Sequence, residues 1–196
     1  MLGIAAATLL VLLSGCGSDQ LSAEEYEQRV AEVLKPDEQT AQEDPFVFQG
    51  LIPSLAMSFE VMRCLDREEN PCIVQPEFTE LRRVSEQARF EVADYHGKLC
   101  QDEDFHPPSD LQAFHDSLCE DIQTIMGALD TVHITSQQAL NALRDPDRSA
   151  AFLRRAAERI LDARSDMIEA LQSMRASGHL DPVFTDVGEE IPELRN

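Results

Sequence analysis

Between Phe78 and Met174 the apolar residues return at steps of three and four, and that period leaves this part of the chain little alternative to packed helices. Phe78, Leu81, Ser85, Ala88, Val92 and Tyr95 form one stripe, opening just after Pro76, a residue that suits a first helical turn. A second stripe runs through Leu111, Phe114 or His115, Leu118, Ile122, Ile125, Leu129, Val132, Ser136, Leu140 and Leu143. A third begins after Asp145-Pro146 and carries Phe152, Ala156, Ile160, Ala163, Met167, Leu171 and Met174. Residues three and four apart share one face of a helix, so each stripe reads as a strip of core, including its Met and Phe positions. No stretch sustains the alternation of a strand. The expected fold is all-α: a four-helix-type antiparallel bundle with an additional short N-terminal helix.

Punctuation residues set the boundaries. Ser22-Ala23-Glu24-Glu25 has the form of a capping box and starts a short helix to about Leu34, with Tyr26, Val30 and Val33 on one face, which Lys35-Pro36 ends. Residues 37–44 have no apolar side chain but Ala41 and read as a linker. Pro53 suits the first turn of a second helix carrying Leu55, Phe59, Met62 and Leu65. Gly97 is expected to stop the first long helix, Ser109-Asp110-Leu111-Gln112 to cap the second, and Gly178 to stop the third. Residues 22–178 are then the bundle domain, and 179–196 an irregular acidic tail.

The amino-terminus is of a different kind. Ile4 to Leu13 is an apolar run broken only by Thr8, and as a helix it covers only about 15 Å, half the hydrocarbon core of a bilayer. A run of that length, followed by small residues, matches an export signal, although Met1-Leu2-Gly3 lacks the Lys or Arg with which such signals open. The alternative is an amino-terminal core helix that ends in Ser-Gly-Cys-Gly. Leu13-Ser14-Gly15-Cys16 resembles a bacterial lipobox, with a permitted residue type at every position. The resemblance implies a signal peptide over 1–15, cleavage before Cys16, a lipid such as palmitate on the Cys16 sulfur, and a lipidated tether over 16–21. It places the protein at the cell membrane, lipid-anchored and facing outside the cytoplasm.

Charge narrows the partners. With 16 basic against 37 acidic residues the formal charge is -21, which phosphate backbones and anionic head-groups repel. Nucleic acid is therefore excluded as a partner, and the N-terminal lipid is the expected membrane attachment. A weak general attraction for cations follows.

Of the five cysteines, four remain once Cys16 takes lipid, and outside the cytoplasm four cysteines read as two disulfides. Cys64 and Cys72 bracket the turn 65–71 and are expected to pair. Cys100 is expected to join Cys119, because a loop from Lys98 to Pro108 can fold back along the next helix. Cys64 with Cys100 would have to connect opposite ends of a helix about 30 Å long, beyond disulfide reach. A competing reading uses the same cluster: His96 and Cys100, like His115 and Cys119, are four residues apart, and together could offer two nitrogens and two sulfurs to zinc.

Other candidates carry less chemistry. Asp102-Glu103-Asp104 lacks the glycine and distal glutamate of a calcium loop. His133 reads as a histidine at the core boundary, and Ser136 as a core serine bonding back to a carbonyl one turn earlier. No nucleophile elbow, phosphate-cradling loop, His-Glu-x-x-His or haem motif occurs. His106-Pro107-Pro108-Ser109-Asp110-Leu111 with Phe114-His115, followed by long Ala- and Leu-rich helices, resembles the plan of uncharacterised helical lipoproteins of actinobacteria. That resemblance implies a helical fold and an envelope location, and brings no catalytic residue. The sequence thus predicts a non-enzymatic envelope protein without a cofactor that binds another envelope protein or displays itself. The alternative is a lipoprotein that binds metal or a small ligand through its His/Cys cluster or acidic groups.

Overall fold

The structure, a computed structural model, describes residues 21–34, 55–66, 73–103, 105–145 and 150–180. Cys16, the lipobox, Pro53, Cys72, the turn 67–72 and the tail beyond Leu180 lie outside the described residues. Among those described, every regular element is a helix: α1 (Ala23–Leu34), α2 (Met57–Leu65), α3 (Gln75–Cys100), α4 (Gln112–Ala142) and α5 (Ala150–Ala176).

The long helices form a bundle because their buried faces are the predicted stripes. Phe78, Leu81, Ser85, Ala88, Val92 and Tyr95 are all buried on α3. Leu118, Ile122, Ile125, Leu129 and Val132 are buried on α4, and Ala156, Ile160, Ala163, Met167, Leu171 and Met174 on α5. At 26, 31 and 27 residues these helices are each about 40–45 Å long. Their directions alternate. The end of α3 meets the start of α4 through Cys100 and Cys119, while Arg82, early on α3, bonds Gln137, late on α4. Asp121 near the start of α4 bonds Ser173 near the end of α5. α4 packs on both α3 and α5.

The fourth corner is shared. α1 packs against α3 at the end where Tyr26 reaches His115. α2 lies at the other end, against α5 and α3, and Asp66 behind it pairs with Arg154 in the first turns of α5. Two short helices thus do end to end what one long helix does in an ordinary four-helix bundle. A helix as short as α2 is marginal alone, and Val61 within it and Leu55 just before it, both fully buried in the common core, supply what its length cannot.

Several local expectations fail for identifiable reasons. Gly97 does not stop α3, which runs three residues further to Cys100, because the α1 contact and the disulfide hold its last turn in place. The Ser109–Gln112 box does not form: α4 starts at Gln112 with Leu111 at its N-cap and no side-chain cap. Instead the Leu111 N–H reaches the Pro108 carbonyl at 2.9 Å, and Leu111 itself is buried, so packing chose the start. Phe59 is 49% exposed, since the face of α2 that meets α3 and α5 is Leu55, Ser58 and Val61, one residue round from the predicted stripe. The Ser22 box does form, with Ser22 N–H to Glu25 Oε2 at 2.9 Å and Glu25 N–H to Ser22 Oγ at 3.2 Å. Gly178 ends the bundle at φ 73°, a left-handed conformation that favours glycine. His179 and Leu180 beyond it still pack, Leu180 being fully buried.

Candidate functional site

The predicted His/Cys cluster falls at the end of the bundle where α3 finishes and α4 begins. Cys100 and Cys119 are joined, with Cα atoms 5.8 Å apart. While they are bonded to each other the two sulfurs offer zinc no thiolate. The cluster's histidines have different neighbours: His96 Nε2 accepts from the Gln123 side-chain amide at 3.1 Å, whereas His115 lies with Nδ1 2.9 Å from the Tyr26 hydroxyl and Nε2 toward Cys119. Among the described residues no group of three or more His, Cys, Asp or Glu side chains is arranged to hold a metal ion. Cys64 is also disulfide-bonded, and Cys72, its expected partner, lies outside the described residues.

What surrounds the staple is an aromatic lock. Tyr26 of α1 is fully buried, with its ring 5.3 Å from Phe105 and 6.0 Å from His115. The Arg29 guanidinium lies 5.1 Å over the Phe105 ring, within cation–π range. Phe114 packs on His179 at 4.6 Å, and His179 Nδ1 meets Glu27 Oε1 at 2.6 Å, so the chain after α5 is tied back to α1. Burial pushes the Tyr26 hydroxyl well above the ordinary phenol range, with the Asp116 carboxylate adding to the effect, so it stays protonated and is able to donate to His115 Nδ1, the imidazole tautomer setting the direction. Burial holds the His115 imidazole below its usual value, with Asp116 opposing. The tautomer that accepts from Tyr26 carries its proton on Nε2, 3.7 Å from the Cys119 sulfur. Sequence spacing placed His115 beside Cys119, but nothing in it indicated Tyr26, 89 residues earlier. The chemistry of this end is closure: a disulfide, a hydrogen bond and stacked rings that fix α1 on the bundle.

Two other surfaces are open. On the outer side of the α3–α4 pair, Phe90 is 75% exposed beside a shallow pocket of about 220 Å³ shared with Ala93 and Met126. Arg89 and Asp130 pair across its rim at 2.5 Å, and Ile134, half exposed, lies two turns beyond Met126 on the same side of α4, past Asp130. The second surface lies between the start of α3 and the end of α4, where Arg82 and Arg144 share a pocket of about 200 Å³. Neither was singled out in the sequence, where Phe90 and Arg82 look like ordinary outward positions of a helix.

Two further expected roles resolve differently. His133 is partly buried, with its Nδ1 enclosed and without a hydrogen-bond partner among the described residues. Ser136 is fully buried, but its hydroxyl makes no bond back to a carbonyl, in contrast to Ser85, whose Oγ donates to the Arg82 carbonyl at 3.0 Å.

Fold and site together define an all-α, disulfide-stapled bundle with a closed end and an exposed apolar face. No family model, no curated protein and no solved structure matches the chain.

Proposed function

We propose that the protein is a lipid-anchored binding protein of the cell envelope, tethered through Cys16, without catalysis of its own, whose α3–α4 face docks another protein. The observation that carries this reading is the Phe90 face. A large aromatic side chain three-quarters exposed beside an apolar pocket, with Met126 and Ile134 in line, costs a solvated protein apolar exposure that a partner would relieve. Glu86 stands one helical turn before Phe90, while Asp94, one turn after it, is paired with Lys98 at 2.6 Å; with a formal chain charge of -21, a partner with an apolar anchor and a basic surround fits the site better than a second copy of this acidic chain. Location draws support from the lipobox resemblance and from the Cys100–Cys119 disulfide, since such bonds persist in oxidising compartments.

Two measurements test it. Growing the expressing cells with an alkynyl fatty acid should label the wild-type protein and leave Cys16→Ser unlabelled; an unlabelled, unprocessed wild type overturns the anchor. A photo-crosslinking residue at Ala93 should give one discrete adduct in membranes that Phe90→Ser abolishes. Adducts that persist unchanged in Phe90→Ser overturn the docking face.

A further inference from the structure

A concave surface lined, among the described residues, by two arginines and no carboxylate runs against the composition of a chain with 16 basic and 37 acidic residues. Arg82 comes from the second turn of α3 and Arg144 from the turn that closes α4. Gln75, Thr79, Gln137, Leu140 and Leu143 complete the lining, which is more polar than apolar, and the Thr79 hydroxyl donates to the Gln75 carbonyl at 2.8 Å. The arrangement is held from behind. Arg82 Nη1 donates to Gln137 Oε1 at 2.9 Å, and Gln137 Nε2 donates to Asn141 Oδ1 at 3.2 Å, so the guanidinium is fixed by neutral groups that leave its charge unmatched. Its Nε–H is shut off from solvent and has no hydrogen-bond partner among the described residues. A buried charged donor without an acceptor is rare in a finished structure and is satisfied when an acceptor arrives. Arg144 is exposed, and among the described residues no carboxylate pairs with it.

The backbone at the start of α3 agrees in sign, while the C-terminal end of α4 carries the negative end of its dipole and leaves Arg82 and Arg144 to supply the positive charge. Gln75 opens α3, the end at which a helix favours negative charge, and its N-cap Val74 offers no side-chain acceptor. At the adjoining end of α4 the carbonyls of Ala139, Asn141 and Ala142 already accept the N–H groups of Leu143, Arg144 and Asp145. They are not left pointing unpaired at an incoming anion.

We propose that this pocket binds a small organic carboxylate, its oxygens between Arg82 and Arg144 and its short carbon chain on Leu140 and Leu143. A guanidinium matches the planar fork of a carboxylate, and the two leucines give the apolar part a place that an inorganic oxyanion would not use. At about 200 Å³ the pocket is below the roughly 300–1,000 Å³ that holds drug-sized ligands, so the ligand has a handful of carbon atoms. The site uses neither the Phe90 face nor the lipid, and it takes an anion where the net charge alone would attract cations.

The test is a nuclear magnetic resonance titration of the purified full-length protein with sodium butyrate at constant ionic strength, with sodium phosphate and sodium chloride in parallel. Butyrate should move the Arg82 Nε–H signal and the backbone amides of Gln75, Glu77 and Thr79 saturably, at a Kd of about 1 mM or tighter. Arg82→Gln and Arg144→Gln should each weaken binding by roughly tenfold or more. Arg83→Gln, which removes an exposed arginine already paired with Glu80, should leave the titration unchanged. Arg144 is exposed, so its variant decides the matter even where Arg82→Gln disturbs the fold. A response linear in butyrate, or one weakened equally by Arg83→Gln, overturns the site. Saturation by phosphate and not by butyrate overturns the carboxylate assignment. Neither result touches the lipid-anchor reading, which the fatty-acid label decides separately.

Discussion

The two ends of the bundle treat their polar groups in opposite ways. Where α3 runs into α4, the polar groups are paired with one another: Tyr26 with His115, His179 with Glu27, His96 with Gln123, and the two sulfurs by a covalent bond. Toward the far end, Ser58, Thr135 and Ser136 bury hydroxyls without partners among the described residues, and Arg82 Nε is left equally alone. The first end pairs most of its polar groups within the chain, the buried Arg175 Nη1 being an exception among the described residues, and resists opening. The second carries unmade hydrogen bonds in a low-dielectric interior, which is a cost to folding and an opportunity for a ligand. Stability and binding capacity therefore sit at opposite ends.

The largest expected effect is on the closed end. Replacing Cys100 and Cys119 together by Ser should lower unfolding free energy by about 3 kcal/mol, since the bridge closes a loop across a sequence separation of 19; denaturant melts of both forms measure it. A loss near zero would mean that the aromatic lock alone closes that end. Tyr26→Phe keeps the packing and strips His115 Nδ1 of its partner, so about 1–2 kcal/mol should go, and hydrogen exchange should quicken in α1 before it does in α4. At the other end the sign reverses. Ser136→Ala removes a buried hydroxyl that bonds to nothing, and stability should rise by up to about 1 kcal/mol in thermal melts. A loss there would reveal a partner for Ser136 and weaken the contrast between the ends. Gly97→Ala should add about 0.5–1 kcal/mol, because Gly97 lies inside α3 and nothing stands within 4 Å of the added methyl.

The smallest effect is on pH. Burial disfavours the charged form of His115, so the folded protein holds fewer protons there than the unfolded chain does. The contribution is fully present above the ordinary histidine value of 6.5 and is lost as pH falls from there through the lower folded value. Urea midpoints should therefore drop between about pH 7 and pH 5 in wild type. His115→Gln should flatten that drop, and an unchanged slope would place the titration elsewhere.

Much of the fold was legible in the residues. The three stripes named 18 of the 26 buried positions of α3, α4 and α5, because a 3.6-residue period on a long helix is a local property that any core must respect, and they missed mainly small residues such as Ala128, Ala139, Ala142, Ala157 and Ala170. The pairing of Cys100 with Cys119 was legible too, although by a loop that was thought to start at Lys98 and starts at Gln101. What failed were decisions made by distant neighbours. Gly97 stays helical, Leu111 displaces a ready-made cap, and Phe59 turns outward, each because an element far away in sequence packs against the spot. Of the open surfaces, Phe90 gave no signal, since an outward phenylalanine differs from a core one only by the helix it fails to meet.

The sequence by itself determined that the chain is helical, where its long helices run, which of their faces are mainly buried, and that its formal charge is -21. Those are consequences of period, punctuation and formal charge, all of which are read within a few residues or summed over the whole. Only the tertiary structure decided that two short helices share the fourth corner, that Tyr26 closes on His115, and that Arg82 and Arg144 converge. The reason is physical: helix periodicity fixes which side chains share a face, but which faces meet, and in what register, is settled by the packing of elements tens of residues apart.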